Sequence, residues 1–370
     1  MAPQPSLPKT MKAVQVTAYN KPYTLNTVPV PSDLQPTDLL VKVAVASHCH
    51  TDGMVQAGTF GTKLPVTASH EGSGTVVAIG SDVKDFSIGD RVMCGLPLHP
   101  CGKCPDCTTG PENQRQYCIK LEGHVGVHVD GCFAECVRVD SRSTTPMPDS
   151  VSFLSAAPLA CAGRTAWRSV SQAGLEEEGQ WIAFVGSGGG LGHLGIQFAK
   201  KRGLKVIGID ARDEGLELSR HYGADLVVDA RKGKEEVVKA VQEVTGGEGA
   251  HATVCLSDAQ SAAATACAVT RMHGTMVQVA QPDEVSIPFA ELIFRDIRVR
   301  GSLLCSAGES KEMLEKIAES GVTVKTNVFH GLDKIEELVE MVHGGKISGK
   351  AVIVVDQEQL DREKELGAKY

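Results

Sequence analysis

The sequence predicts an α/β fold in which a β-rich N-terminal part is followed by a doubly wound parallel sheet. Up to about residue 150, short strand-like runs lie between Gly and Pro residues. Beyond Ser152, continuous apolar runs of strand length alternate with helical patterns, and such runs are typical of strands buried on both faces. Six such runs occur, which is the strand number of the common dinucleotide-binding sheet.

The β-rich part is predicted to end where a helical period begins. Its strand-like runs are residues 39–46, 74–79, 91–94 and 133–139. Ser152 is a suitable N-cap for a single helix over 153–173, and Gly174 is a suitable stop. The predicted organisation is a first domain, a second domain and a C-terminal segment that returns to the first, over residues 1–157, 158–305 and 306–370.

The second part is predicted to alternate between strands and helices. Its predicted strands are 181–185, 206–209, 226–228, 253–256, 276–280 and 299–304, and its predicted helices are 190–201, 235–244 and 259–272. After it, Ser306 and Glu309 form a capping box for a further helix, and 351–355 is predicted as a strand. We expect residues 356–370 to form a solvated helical tail and the first ten residues to be disordered.

Length and charge indicate a protein that acts on small molecules. A chain of 370 residues is long enough for two domains. Its formal charge of −8 is dispersed without a basic stripe, which argues against nucleic-acid binding. The sequence has no signal-peptide pattern and no apolar run of about eighteen residues, so we expect no membrane span and a cytoplasmic location.

Four cysteines within eighteen residues form a candidate metal site: Cys101, Cys104, Cys107 and Cys118. The first three repeat the two-residue spacer of a zinc knuckle, and four thiolates leave no open coordination position, as in a structural zinc site. Disulfides are one alternative because the chain has twelve cysteines, but the tight spacing favours zinc. A redox pair is another, although no strand-then-helix pattern flanks these cysteines.

A glycine-rich turn directly follows the first strand of the predicted parallel sheet. Its candidate phosphate-binding residues are Gly186, Gly189, Gly190 and Gly192. Glycines let a pyrophosphate approach the backbone at a helix N-terminus. The next strand ends in Asp210, where a carboxylate bonds the adenosine ribose and favours NAD over NADP, although Arg212 lies nearby. A flexible loop beside a solvated acid is the alternative interpretation.

Three further segments carry residues that can bind a metal. Cys49-His50-Thr51-Asp52 follows a predicted strand, His70-Glu71-Gly72 precedes another, and Cys161 lies near the domain junction. A buried Cys is usually a small core residue, and a lone His is usually a satisfied polar group. Spacing alone therefore does not select these segments.

The order of these motifs resembles that of the zinc-dependent medium-chain alcohol dehydrogenases, particularly the yeast-type enzymes, over nearly the whole chain. The Cys-His-Thr-Asp run, the His-Glu-Gly run, the cysteine knuckle, the Cys-Ala-Gly segment and the glycine turn occur in the family's order at about its separations. The resemblance implies a GroES-like catalytic domain and a Rossmann-type NAD-binding domain. It also implies a homo-oligomer, either a dimer or a tetramer.

The resemblance implies a catalytic zinc held by Cys49, His70 and Cys161. Two thiolates and one imidazole leave a fourth position where an alcohol oxygen can bind. Glu71 is implied as an alternate ligand, and Asp52 as the residue that orients His70.

The same resemblance implies residues for proton transfer and coenzyme binding. Thr51 would accept the alcohol proton, and His50 would lie near the coenzyme pyrophosphate. Thr165 is the candidate for nicotinamide contact. Lys350 stands where yeast-type relatives carry an arginine for the pyrophosphate, so the charge is kept without bidentate geometry.

Three positions depart from the family pattern. Met54 stands where many relatives have the histidine that completes the proton relay, so we predict a weaker pH dependence of hydride transfer. Leu96 and Phe60 stand about where ethanol-adapted yeast enzymes have tryptophans. We therefore predict a roomier pocket for alcohols larger than ethanol.

The leading hypothesis is an NAD- and zinc-dependent reversible oxidation of a primary or secondary alcohol to an aldehyde or ketone. A zinc-free quinone or enoyl reductase of the same superfamily is the first alternative, but it has no need for Cys49, His70 and Cys161. A non-catalytic zinc- and nucleotide-binding scaffold is the second alternative.

Overall fold

The computed structural model describes residues 7–109, 114–345 and 347–369. The chain divides into two compact units: the first contains residues up to Cys161 with Ser306–Gly321 and Thr326 onward, and the second contains Ala162–Cys305 with Val322–Lys325. The first unit thus extends four residues beyond the predicted boundary at residue 157. Residues 1–6 of the predicted disordered tail lie outside the described residues.

The first unit is rich in β-structure. Its strands are β1 (Thr10–Val16), β2 (Thr24–Pro29), β3 (Asp38–His48), β4 (Val66–Thr67), β5 (Glu71–Ile79), β6 (Arg91–Met93), β7 (Pro97–Leu98), β8 (Gly123–His124), β9 (Cys136–Asp140), β10 (Thr145–Pro146), β17 (Thr326–His330) and β18 (Lys350–Val354). Its helices are α1 (His50–Ala57), α2 (Pro105–Thr108), α3 (Phe153–Pro158), α10 (Ala307–Ser320), α11 (Ile335–His343) and α12 (Gln357–Glu363).

Strand β3 lies inside the main sheet of the first unit. The strand order is β10-β6-β5-β3-β18-β17, and β9 also pairs with β3. Leu39, Val41 and Val43 of β3 are fully buried in the apolar core of this unit. Because β5 and β18 both run antiparallel to β3, the C-terminal end of β3 meets the N-terminal ends of both neighbours. Residues at these three strand ends are therefore brought together.

The second unit is an alternating α/β structure. Its strands are β11 (Trp181–Val185), β12 (Lys205–Asp210), β13 (Leu226–Asp229), β14 (Ala250–Cys255), β15 (Thr270–Gln278) and β16 (Arg298–Gly301), and its helices are α4 (Arg164–Gln172), α5 (Gly192–Lys201), α6 (Asp213–His221), α7 (Lys234–Val244), α8 (Ala262–Val269) and α9 (Phe289–Ile293). All pairings in its six-stranded sheet are parallel, in the order β13-β12-β11-β14-β15-β16. This order confirms the predicted doubly wound parallel sheet.

The helix predicted over residues 153–173 is interrupted. α3 ends at Pro158, a π-helical turn covers Leu159–Gly163, and α4 begins at Arg164. Proline has no backbone N–H to bond the preceding turn, so the regular helix cannot continue unchanged. A π-helical turn adds one residue to the turn and rotates the side chains that follow. Cys161 lies within this turn.

Other element boundaries also differ from the sequence prediction. The helix predicted over 259–272 ends at Val269, and the following residues belong to β15, whose pairing with β14 begins at Thr270. The strand predicted over 299–304 ends at Gly301, and α6 was not predicted. None of the helices in the described parts of the chain is long and apolar enough to cross a membrane.

The C-terminal segment is helical as predicted, but one face of the helix is buried and not solvated. Leu360 and Glu363 of α12 are buried. A carboxylate oxygen of Glu363 accepts a hydrogen bond from the backbone N–H of Phe153 at 2.8 Å and lies 2.5 Å from Arg91 Nη2. The segment is rich in charged residues, but it forms an amphipathic helix whose buried face packs against the first unit.

Candidate active site

Four side chains of the first unit converge on one point. One ligand atom from each of Cys49, His70, Glu71 and Cys161 lies within 4.8 Å of the others. Cys49 directly follows β3, and His70 directly precedes β5, so the antiparallel register places both at one end of the sheet. Cys161 reaches the same point from the π-helical turn. The structure therefore brings together the three predicted zinc ligands and Glu71.

The histidine of this cluster has the environment of a metal ligand. His70 is 1% exposed, and its Nε2 makes no hydrogen bond of normal geometry within the described residues. A buried imidazole nitrogen without a partner is costly unless a cation binds it. Its Nδ1 lies 3.4 Å from Asp52 Oδ1. Two thiols, this imidazole and an adjacent carboxyl group are a donor set that fits zinc.

Asp52 is fixed by backbone groups on both sides of the cluster. Its carboxylate accepts hydrogen bonds from the N–H of Cys49 at 2.8 Å and of Ser69 at 3.1 Å. Ser69 has φ of 70°, a region that non-glycine residues rarely adopt. Its hydroxyl donates to the carbonyl of Ser47 at 2.8 Å. The loop before His70 is thus held in a strained conformation at the site.

Two glycines make room for this strained loop. A Cβ on Gly126 would lie 2.2 Å from the carbonyl oxygen of Ser69, and one on Gly131 would lie 2.1 Å from it. Neither position tolerates a side chain without movement of the backbone that carries His70. The sequence prediction missed Ser69, Gly126 and Gly131, because no local pattern indicates which glycines pack against a metal loop.

The two thiols of the cluster are electronically different. A hydrogen bond from Cys161 lowers the pKa of Cys49 well below its ordinary value, and the charges of Lys350 and His70 act in the same direction against burial. The same hydrogen bond raises the pKa of Cys161. The thiolate is the form that binds a metal, which fits Cys49 as a candidate ligand.

Lys350 lies in this cluster. Its Nζ is 2.6 Å from Oε2 of Glu71. Burial is the largest influence and would lower the pKa of Lys350, but the charges of Glu71, Cys49 and Cys161 and the hydrogen bond to Glu71 together outweigh it and raise the pKa. The family resemblance implies a coenzyme contact for Lys350. The position of Lys350 in this cluster depends on the pairing of β18 with β3, which no local sequence motif indicates.

The other predicted residues of the first unit lie on α1. His50 is the first residue of this helix and is exposed. Thr51 is half-buried, with its hydroxyl oxygen 4.0 Å from Cys49 Sγ. The helix N-terminus therefore presents a hydroxyl beside the metal ligands.

The second candidate metal site is the cysteine knuckle, formed by Cys101, Cys104, Cys107 and Cys118. Their four Sγ atoms lie within 4.8 Å of one another. The N–H of Cys101 lies 3.3 Å from Cys118 Sγ, and the N–H of Cys104 lies 3.3 Å from Cys101 Sγ. Hydrogen bonds from the N–H groups of Lys103 and Cys104 lower the pKa of Cys101 to about 6. Such N–H···S bonds stabilise thiolates, and four convergent thiolates are a donor set that fits a closed zinc site. Residues 110–113 of the intervening loop lie outside the described residues.

The glycine turn of the second unit connects β11 to α5. Gly186 has φ of 89°, and a Cβ on Gly192 would lie 2.1 Å from the carbonyl oxygen of Ser187, so both positions require glycine. A Cβ on Gly189 would have no described neighbour closer than 3.5 Å, so the protein itself does not require glycine there. Gly190 follows directly. A phosphate that must approach the backbone is a physical reason for such glycines.

Asp210 lies at the C-terminal end of β12, beside this turn. It is buried and accepts hydrogen bonds from the N–H groups of Gly188 at 2.9 Å, Ala211 at 2.9 Å and Arg212 at 3.0 Å. The guanidinium of Arg212 lies 3.6 Å from Asp210 and donates to the carbonyl of Gly188. Thr165, the remaining predicted coenzyme residue, is buried in α4.

Comparisons with known proteins match both units. A family model described as alcohol dehydrogenase GroES-like domain matches residues 35–149, and one described as zinc-binding dehydrogenase matches residues 190–319. An alcohol dehydrogenase of Geobacillus stearothermophilus is 33% identical over 349 residues, which are 94% of this chain and 100% of that relative.

Solved structures give the same result. The alcohol dehydrogenase of Aeropyrum pernix matches with a TM-score of 0.84 and 32% identity, covering 93% of this chain and 99% of that chain. A zinc-binding dehydrogenase of Sinorhizobium meliloti bound to NADP matches with a TM-score of 0.80 and 26% identity, covering 93% and 99% of the two chains.

A GroES-like β-rich unit, a Rossmann-like parallel sheet and a convergent set of metal-binding side chains define a metal-dependent dehydrogenase. The chain belongs to the zinc-dependent medium-chain alcohol dehydrogenase family. The predicted fold and the broader family are thereby confirmed, while the yeast-type subgroup stays a prediction. The relatives support an alcohol oxidoreductase activity.

Proposed function

We propose that this protein is a yeast-type, zinc- and NAD-dependent alcohol dehydrogenase, which reversibly oxidises primary or secondary alcohols larger than ethanol. The observation that carries this proposal is the convergence of ligand atoms from Cys49, His70 and Cys161. The imidazole of His70 is buried, and its Nε2 makes no hydrogen bond of normal geometry within the described residues. A zinc-free reductase would have no use for this arrangement.

We assign the roles of the chain's own residues from their positions and, for Thr165 and His50, from the family resemblance. A bound zinc would supply Lewis acidity that lowers the pKa of an alcohol, and bound NAD would supply the hydride acceptor. Thr51 accepts the alcohol proton, because its hydroxyl lies beside Cys49. Asp52 orients His70 through Nδ1. Thr165 contacts the nicotinamide, and His50 lies near the pyrophosphate.

The coenzyme is bound by the glycine turn and Asp210. The buried carboxylate binds the ribose hydroxyls of NAD and repels the 2′-phosphate of NADP. Arg212 offsets part of this repulsion, because its guanidinium lies 3.6 Å from the carboxylate. We therefore propose that NAD is preferred and that NADP is also accepted.

The substrate class rests on the residues that stand in place of tryptophans. Leu96 is buried, and Phe60 packs edge-on against His128 with ring centroids 6.4 Å apart. These side chains leave more room than two indoles. We expect a higher kcat/KM with hexanol or benzyl alcohol than with ethanol, and equal or better efficiency with ethanol would contradict the proposal.

The proton relay is shortened, because Met54 cannot transfer a proton. We expect a weaker pH dependence of hydride transfer than in relatives with a histidine at this position. If the pH profile is steep and His50→Gln abolishes it, His50 is the terminal base. A steep profile that survives this substitution would show that another group serves.

We also propose that the protein is a homo-oligomer. Several apolar side chains of α9, of its C-cap residue and of β16 are exposed, including Phe289 at 69%, Ile293 at 70% and Phe294 at 70%. β16 is an edge strand of the sheet within the described residues. A second copy of the chain can cover such a surface by extending the sheet.

The decisive experiment measures zinc per chain in protein purified without chelator. We expect about two zinc ions, one in each cluster. Cys49→Ser should remove about one zinc ion and abolish turnover, while Cys136→Ser, a buried cysteine outside both clusters, should remove none. A single zinc ion that survives Cys49→Ser, with reductase activity unchanged, would favour the zinc-free reductase. Absence of turnover on a broad alcohol panel despite full zinc and NAD binding would favour the scaffold.

A further inference from the structure

Lys350 and Glu71 form an ion pair inside the catalytic cluster. Their side chains are only 5% and 0% exposed, and the two charged atoms are 2.6 Å apart. The side chains meet across the end of β3, where Ala351 pairs with His48 on one side and Glu71 pairs with Ser47 on the other. The pair therefore lies directly beside the first metal ligand.

The charges of the cluster explain why an ammonium group is buried here. A divalent cation with two thiolates and a neutral imidazole carries no net charge, so a carboxylate at the same place is an uncompensated buried negative charge. Lys350 supplies the positive charge that matches Glu71. Because the ammonium and the cation both attract the same carboxylate, they compete for it.

We propose that Lys350 is a positioning residue that restrains Glu71 from the metal and so keeps the fourth coordination position open to other ligands. This role rests on the proposed function, since it requires a metal in the catalytic cluster. It takes the place of the pyrophosphate contact suggested by the sequence. An ammonium that is buried and paired with a carboxylate can bind a phosphate only by giving up that pair.

Removal of the ammonium group should close the metal site. In Lys350→Met, a side chain of similar length keeps the packing, but the carboxylate of Glu71 loses its counter-charge. One of its oxygens already lies within 4.8 Å of the ligand atoms of Cys49, His70 and Cys161. Without the ammonium group, the carboxylate of Glu71 can bind the metal, which then compensates its negative charge. Lys350→Arg keeps the positive charge and should leave the site open.

The test uses the full-length protein with cobalt(II) in the catalytic cluster, because cobalt has visible bands that report its ligands. Imidazole is titrated as a ligand for the open position in the wild type, Lys350→Met, Lys350→Arg and the double variant Lys350→Met with Glu71→Gln. Retention of the knuckle zinc and the circular dichroism spectrum serve as controls for folding. NADH affinity of each variant is measured in parallel.

We expect Lys350→Met to shift the cobalt bands and to weaken imidazole binding by about tenfold or more, which corresponds to about 1.4 kcal/mol. Lys350→Arg should bind imidazole like the wild type, because it keeps the positive charge. The double variant should do so as well, because the amide of Glu71→Gln is a poor competitor for the metal. Unchanged imidazole binding in Lys350→Met, or weakened binding that Glu71→Gln does not restore, overturns the proposal. A loss of NADH affinity with an unchanged cobalt spectrum assigns Lys350 to the coenzyme instead. Failure of the wild-type cluster to bind cobalt overturns the proposed function itself.

Discussion

At the scale of single residues, Asp140 shows how one buried carboxylate supports a metal loop. It is fully buried and accepts hydrogen bonds from the hydroxyl of Thr37 at 3.2 Å, the N–H of His99 at 3.2 Å and the guanidinium of Arg142 at 2.6 Å. His99 lies two residues before the first cysteine of the knuckle. The carboxylate therefore connects β9 to the start of the metal-binding loop.

We predict that Asp140→Ala lowers the free energy of unfolding by about 2 kcal/mol, because it leaves several partly buried donors without their acceptor. Urea unfolding monitored by fluorescence measures this change. Asp149→Ala, at an exposed position nearby, is the control and should change the stability by less than about 0.5 kcal/mol. Equal stability of the two variants would show that Asp140 is not important for the loop.

Arg212 gives a second prediction at this scale. We predict that Arg212→Ala weakens NADPH binding by about tenfold, the cost of losing one charge-assisted contact to the 2′-phosphate. NADH affinity should change much less, because NADH lacks that phosphate. Fluorescence titration with both coenzymes measures the effect, and Arg220→Ala, exposed at the end of α6, is the control. An equal loss for both coenzymes would contradict a role in phosphate recognition.

The sequence identified site residues only as far as local patterns extend. The knuckle could be found from the spacing of Cys101, Cys104 and Cys107, because its ligands are close in the chain. Cys49 and Cys161 are more than a hundred residues apart, so only family resemblance could combine them. The contact between Lys350 and Glu71 depends on the pairing of two strands with β3, which no local signal reveals.

At the scale of elements, helix α10 tests how much a local motif contributes. Ser306 Oγ accepts a hydrogen bond from the N–H of Glu309 at 3.1 Å, and the Glu309 carboxylate accepts one from the N–H of Ser306 at 2.8 Å. The predicted capping box is therefore present in the structure. It could be predicted because all its atoms belong to four consecutive residues.

We predict that Ser306→Ala lowers the free energy of unfolding by about 1 kcal/mol, because one end of the capping box is lost. The change is measured by urea unfolding. Glu312→Ala, exposed on the same helix, should change it by less than about 0.5 kcal/mol. No difference between the two variants would show that the cap is replaced by water.

The interrupted helix shows where element prediction fails for a physical reason. Apolar residues at helical spacing continue through residues 153–173, so the pattern predicts one helix. Pro158 ends the regular hydrogen bonding, and the π-helical turn carries Cys161 to the metal cluster. The irregularity is thus located at a candidate metal ligand, where local helical preference and the geometry of the cluster differ.

At the scale of the whole molecule, the exposed apolar surface of α9 and β16 gives a prediction about assembly. We predict that Ile293→Lys shifts the mass measured by light scattering toward that of a single chain, 39.1 kDa, because a charge replaces an exposed apolar side chain of this surface. Leu366→Lys, at another exposed apolar residue, should leave the mass unchanged. A wild-type protein that already has the mass of one chain would contradict the proposal.

The general architecture was predictable because each unit has a distinct periodicity. Strict alternation of apolar runs and helical segments after residue 174 indicates a parallel sheet, and the observed strand order agrees with it. The C-terminal helix was misjudged, because charged residues dominate its composition while only a few positions, among them Leu360, are buried.

The position of β18 between β3 and β17 has a consequence for folding during synthesis on the ribosome. The strand that completes the main sheet of the first unit is Lys350–Val354, so synthesis must pass residue 354 before that unit can close. Nearly all of the second unit is contiguous in sequence, and it can mature while synthesis continues. We expect nascent chains stalled before residue 350 to be resistant to protease only over about residues 162–305, and to engage chaperones through the unfinished β-rich part.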